Sequence, residues 1–110
     1  MLPQVHRLPA KDFPSLLRRG IRLHTDHVDI RYVHHTDSTR IGFVISKSVD
    51  KRATRRNRVK RVLSEQIRLI LLKNEPHIDA IFLIRKPFPE DEHLVRDLIT
   101  PLFLSMEHSA

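Results

Sequence analysis

Lys51–Leu72, KRATRRNRVKRVLSEQIRLILL, decides how this chain is read. From Val59 onward, Val59, Val62, Leu63, Ile67, Ile70 and Leu71 recur at three- and four-residue steps. That spacing predicts an amphipathic helix with one apolar face. At about 3.6 residues per turn, Asn57, Arg61, Ser64 and Arg68 fall on the opposite, polar face, with Arg58 and Lys60 on its flanks. The first half of the stretch holds seven cations in eleven positions, Lys51, Arg52, Arg55, Arg56, Arg58, Lys60 and Arg61, and no carboxylate. The chain has 20 Lys+Arg against 13 Asp+Glu, so the segment's +7 equals the net +7 and the remaining 13 cations match the 13 carboxylates. The positive charge is a local feature that runs into a core helix.

Helix N-termini favour anions, because their first N–H groups are unpaired and the macrodipole is positive there. Gathering cations at that end costs stability, which a bound polyanion offsets. Phosphates satisfy free N–H groups and pair with Arg forks, and Asn57 adds a neutral donor and acceptor. The alternative is a solvated charged face or a basic targeting tag. Tags lie in disordered tails, whereas this cluster is continuous with an apolar helical face.

At 110 residues with 40% hydrophobic content, the chain suits one globular domain, 1–110, rather than a disordered basic tail. Cysteine is absent, which excludes a disulfide framework, a thiolate nucleophile and a Cys-based zinc site. No secretory h-region and no apolar run near about 18 residues is present, so a cytoplasmic protein without membrane association is expected.

Outward from the helix, Ile41-Gly-Phe-Val-Ile45 on one side is apolar on both faces and reads as a rather central strand. On the other side, after the break Asn74-Glu-Pro-His77, Ile78-Asp-Ala-Ile-Phe-Leu-Ile84 is the most continuously apolar run and reads as a buried strand. Asp50 or Thr54 is the expected N-cap of the basic helix. Upstream, Val28, Ile30 and Tyr32 alternate with Asp29 and Arg31 as in a half-exposed strand, with a short strand at Ile21–His24 before it and a loop, HHTDST, after it. Phe13, Leu16 and Leu17 predict a short first helix capped by Asp12, with Pro14 in its first turn and Gly20 at its stop. Arg85-Lys86-Pro87 ends the late strand, and Pro89-Glu-Asp-Glu opens a last helix whose Leu94, Leu98, Ile99, Leu102 and Phe103 should face the sheet. Pro101 is expected to kink that helix or end it early, and residues 1–6 and 105–110 are expected to fray.

The predicted order α-β-β-β-α-β-α gives an α+β two-layer sandwich with helices on one side of a small mixed sheet. The other sheet face then stays partly open beside the first helix, forming a groove in which Phe13 and Leu17 offer a surface for unpaired bases. Burial of Phe13 in the core is the alternative.

Arg56-Asn57-Arg58-Val59-Lys60-Arg61, with Ile41-Gly42-Phe43-Val44-Ile45-Ser46-Lys47 and Ala53 before it, resembles the signature of the bacterial ribonuclease P protein component, the small basic subunit of the tRNA 5′-processing ribozyme. Arg7-Leu8, Asp12-Phe13, Arg19-Gly20 and Arg85-Lys86-Pro87 extend the likeness over Arg7 to Phe103. The resemblance implies a left-handed crossover through the basic helix, against the usual right-handed rule. It implies ribonuclease P RNA and precursor tRNA as partners, with no DNA and no membrane. The RNA subunit would hold Mg²⁺ and hydrolyse the phosphodiester, the protein having no catalytic residue and no metal of its own. Ala53, Arg56, Asn57, Arg58, Lys60 and Arg61 would contact the catalytic RNA, and with them the expected RNA-binding set takes in Lys47, Lys51, Arg52, Arg55 and Arg68. Phe13, Leu17, Lys47, Arg85 and Lys86 form the expected leader-binding set. Ser48 and Asp50 stand where many relatives have Lys and Gly, and Leu17 where some have a second Phe.

A protein-only nuclease would need clustered carboxylates or a positioned acid and base. His24, Asp26, His27 and Asp29 are the tightest such group; on a strand His27 and Asp29 share a face that His24 and Asp26 do not join. His34, His35, His6, His77, His93 and His108 show no ligand spacing. A non-catalytic RNA-binding module such as a ribosomal protein is the main alternative. A helix-turn-helix DNA reader fits less well, since strands and not a second helix flank the basic segment.

Overall fold

The computed structural model describes residues 2–34, 37–89 and 91–108. His35 and Thr36 of the expected loop, Glu90 of the expected last-helix start, Met1, Ser109 and Ala110 lie outside the described residues. The elements are α1 (Phe13–Arg19), β1 (Ile21–His24), β2 (Val28–His34), β3 (Arg40–Ile45), α2 (Ala53–Lys73), β4 (Ile78–Ile84) and α3 (Glu92–His108), preceded by 3-10 turns at Gln4–His6 and Ala10–Asp12. This is the predicted order.

The strands lie in the order β1-β2-β4-β3, with β3 parallel to β4 and the other pairs antiparallel. β4 can be apolar at nearly every position because it runs between β2 and β3 with both faces covered. β3, expected to be more central, is instead an edge strand. Its apolar second face has local causes: Gly42 lies under the Phe13 ring, and Val44 is left 37% exposed. Its outer edge is met by the N-terminal segment, where Leu8 N–H donates to the Ile41 carbonyl at 3.0 Å.

One sheet face packs on α2 and α3. Val28, Ile30 and Tyr32 of β2 and Ile78, Ala80, Phe82 and Ile84 of β4 meet Val59, Leu63, Ile67 and Leu71 of α2 and Val95, Ile99, Phe103 and Met106 of α3. The period of two on the strands thus meets the three- and four-residue period on the helices. The other face carries a smaller cluster of Leu8, Leu16 and Ile81, with Phe13, Val33 and Leu83 against it, so α1 lies on this side and covers only part of it.

Several local expectations are corrected. Ser64, placed on the polar face, is buried, as is Gln66, because α3 covers α2 beside the sheet; Arg96 Nε donates to Gln66 Oε1 at 3.0 Å. Leu94 points outward and is 54% exposed, since the α3 stripe starts one residue later at Val95. Pro101 does not end α3, which runs on to His108; its side chain is exposed. Residues 105–108 continue the helix with Met106 buried, and Leu2 is buried in the main core. Asp12 precedes α1 without a side-chain cap bond and lies instead 3.6 Å from Arg40. Neither Asp50 nor Thr54 caps α2; the residue before its first turn is Arg52. Asp91 caps α3, its Oδ1 accepting from the N–H groups of His93 (2.9 Å) and Leu94 (3.1 Å).

Candidate nucleic-acid interface

The β3–α2 junction is held by bonds among its own residues. Val49 N–H donates to the Ser46 carbonyl at 3.1 Å, closing a turn in which Ser46 and Ser48 share a 2.5 Å hydroxyl contact. Asp50 Oδ1 accepts the Arg52 N–H at 3.0 Å. The same carboxylate lies 3.7 Å from Arg52 Nε and 3.7 Å from Arg55 Nε. Arg56 reaches back, its Nη1 donating to the carbonyls of Asp50 (2.8 Å) and Lys51 (3.1 Å). Asp50 is therefore a clamp that gathers two guanidinium groups and a backbone N–H, while Arg56 staples the loop to the helix.

Beyond the clamp, Asn57, Arg58, Lys60 and Arg61 are exposed on α2, and Lys47, Lys51 and Arg52 are exposed on the approach to it, so this part of the expected set forms one cationic surface. No acidic residue stands in the first turn of α2. Ala53 is exposed at the helix start. Arg68 differs from the rest. It is half-buried, and its Nε and Nη2 donate to Glu65 at 3.2 and 2.7 Å. That bidentate hydrogen bond holds the Arg68 guanidinium above its ordinary value and the Glu65 carboxyl below its own.

On the opposite sheet face, the Phe13 ring lies over the β3 backbone. A Cβ on Gly42 would stand 2.4 Å from Phe13 Cζ, so only glycine admits the ring at this depth. Phe13 is half-buried, one side on the Leu8–Leu16–Ile81 cluster, which combines the two alternatives left open by the sequence. Leu17 is 41% exposed. The register lines up His24, Asp29, Leu83 and Val44 across the four strands. Arg85 closes this row, its Nη1 3.6 Å from Asp29 Oδ1 and 3.1 Å from His24 Nδ1. Lys86 is exposed next to it, whereas Lys47 lines the cavity at the β3–α2 junction.

His24 Nδ1 lies 2.5 Å from Asp29 Oδ1, a pairing made by strand register and invisible to spacing along one strand. His27 does not share the Asp29 face as expected; it precedes β2 and meets the Phe88 ring edge-on at 5.9 Å. Among the described residues no three His, Asp or Glu side chains converge as metal ligands would.

A family model described as Ribonuclease P matches residues 2–101. The chain belongs to the ribonuclease P protein family. It is similar to the ribonuclease P protein component of Microcystis aeruginosa, 36% identical with 88% of each chain covered. Its likeness to that of Rippkaea orientalis is 32%, over 88% of this chain and 84% of the relative. In fold it is similar to the RNase P protein of Staphylococcus aureus, with a TM-score of 0.75 at 20% identity over 91% of this chain and 94% of that one. Family membership makes this chain a subunit of ribonuclease P, active in tRNA processing, and disfavours the ribosomal-protein alternative.

The residues missed in the sequence have two causes. Phe88 and the Arg40–Asp79 pair acquire their contacts from neighbours distant along the chain, whereas Asp50 meets Arg52 and Arg55 close by, in a loop geometry that no periodic pattern encodes. The signals were present but weak: a lone carboxylate at the mouth of a seven-cation segment, and another inside the apolar run Ile78–Ile84.

Proposed function

We propose that this subunit binds ribonuclease P RNA through the β3–α2 junction and the outer face of α2, and receives the 5′ leader of precursor tRNA on the open sheet face beside α1. The observation that carries the reading is the placement of Asn57, Arg58, Lys60 and Arg61 on one exposed surface next to a loop pinned by Asp50 and Arg56. A pinned loop loses little further freedom when phosphates arrive, and Arg forks match their geometry. Lys47, Lys51, Arg52, Arg55 and Arg56 extend the surface, with Arg68 at its far, carboxylate-paired end. On the leader side, Phe13 supplies a ring, Leu17 an apolar neighbour, and Arg85 with Lys86 the charge.

Phosphodiester hydrolysis is assigned to the RNA. In this reading Mg²⁺ is held by RNA ligands, and the protein's part is to bind and orient. The setting proposed with this function is the cytoplasm. No helix among the described residues is long and apolar enough to cross a membrane. The test adds purified protein to protein-free ribonuclease P RNA and precursor tRNA at low Mg²⁺. Cleavage should appear with both components and with neither alone. Cleavage by rigorously RNA-free protein would overturn the division of labour.

A further inference from the structure

Beside the β3–α2 junction the surface sinks into a cavity of about 500 Å³, inside the range of roughly 300–1,000 Å³ that small-molecule sites occupy. Its floor is apolar: Ile45 at the end of β3, Ile84 at the end of β4, and Pro87 and Phe88 just beyond. Ile84 and Phe88 are themselves buried, and the edge-on contact with His27 fixes the Phe88 ring. Its rim is mainly cationic, formed by exposed Lys47, Lys51 and Arg52, with the half-buried Arg55 and Arg56 and the Asp50 carboxylate that Arg55 shares with Arg52 beside them. The loop between rim and floor is held in place by the two bonds from Arg56 to the carbonyls of Asp50 and Lys51.

A phosphate needs the rim but gains nothing from an apolar floor, and an apolar peptide needs the floor but not three cations above it. One chemical class uses both: a nucleotide out of its stack, with a flat base below and a phosphate above. We propose that this cavity takes one unstacked nucleotide of the catalytic RNA, its base against Ile45, Pro87 and Phe88 and its phosphate among Lys47, Lys51 and Arg52. The proposal rests on the reading of the junction as an RNA-binding surface and adds to it a pocket that holds a base, so that the junction fixes position as well as charge.

The test has two arms. In the first, the full chain is titrated with a single-stranded RNA tetranucleotide of mixed bases and with an abasic tetranucleotide of equal charge, followed by NMR. The base-bearing probe should shift the methyl resonances of Ile45 and Ile84 and bind about threefold more tightly, as apolar contact with Ile45 and Pro87 over the buried Phe88 ring would give. Equal affinity of the two probes with no shift at Ile45 and Ile84 would mean a phosphate surface only, and would overturn the proposal. In the second arm, Ser48→Trp plugs the cavity from an exposed position without removing a cation. Affinity for ribonuclease P RNA should fall at least about fivefold with Tm unchanged. Full affinity in this variant, alongside a loss in Lys60→Ala/Arg61→Ala, would sink the pocket and leave the RNA-binding surface standing. Full affinity in both would sink the surface as well. Should Ser48→Trp fail to fold, the first arm decides alone.

Discussion

Arg40 grips Asp79 across the parallel pair β3–β4, Nε to Oδ1 at 2.9 Å and Nη2 to Oδ2 at 2.6 Å, with the Asp79 side chain only 10% exposed. The two are register partners, so the strand pairing itself sets the fork against the carboxylate. The hydrogen bond to Asp79 is the main reason the Arg40 guanidinium lies above its ordinary value, with Asp12 adding a smaller pull. Removing one partner leaves a charge desolvated without its counterion. Asp79→Ala should cost about 3 kcal/mol in urea unfolding, the low end for a broken buried pair because Asp12 remains near. Arg40→Met/Asp79→Leu should recover most of that loss. A cost below about 1 kcal/mol for Asp79→Ala would show that solvent screens the pair.

The Glu65–Arg68 pair gives a pH signature. The Glu65 carboxyl is depressed by the hydrogen bond from Arg68, so its contribution to stability is fully present above the ordinary value of 4.5 and is lost as pH falls through the depressed folded value. Glu65→Gln should therefore lower Tm relative to the parent at neutral pH, and the two should converge in acid. A Tm difference that is constant from neutral pH to acid would mean the pair carries no linkage.

Secondary structure was legible where one period dominated. Val59 to Leu71 read as a helix and Ile78 to Ile84 as a buried strand because neighbours along the chain share one environment. β3 misread as central because its apolar second face answers to Phe13, a contact between α1 and β3 that no local pattern encodes. The cationic surface was legible for the same reason as the helix: its residues are consecutive. The Asp50 clamp was not, since a carboxylate among cations reads equally as a cap, and only geometry separates the two.

That clamp makes a directional prediction. Asp50→Asn keeps an oxygen to accept the Arg52 N–H but removes the charge that lies near Arg52 and Arg55. Affinity for ribonuclease P RNA should rise, and the plot of log affinity against log salt should steepen by up to about one unit as those cations meet phosphate instead. Asp50→Ala, which also loses the acceptor, should gain less. If Asp50→Asn binds RNA more weakly than the parent, the carboxylate's main task is to position the two Arg side chains, not to restrain them.

Phe13 and Gly42 allow the leader groove to be tested without confusing contact with folding. Phe13→Ala removes a half-buried ring and should cost less than the roughly 3–5 kcal/mol of a fully buried one. If the exposed part of the ring stacks on a leader base, leader-bearing precursor should bind the holoenzyme about 1–3 kcal/mol more weakly, and mature tRNA as before. Gly42→Ala acts on the same ring from beneath, since the added methyl would stand 2.4 Å from Cζ and 2.7 Å from Cε1 and must push the ring away from the sheet. That overpacking should cost about 1–3 kcal/mol in stability. With the ring gone the clash goes too, so adding Gly42→Ala to Phe13→Ala should cost almost nothing further, a coupling that unfolding measurements on the four proteins resolve. Leader discrimination should fall in Gly42→Ala as well, because the ring is present but displaced. Strict additivity of the two substitutions would remove the Phe13–Gly42 contact as the cause, and equal weakening for precursor and mature tRNA would show that the ring supports the fold alone.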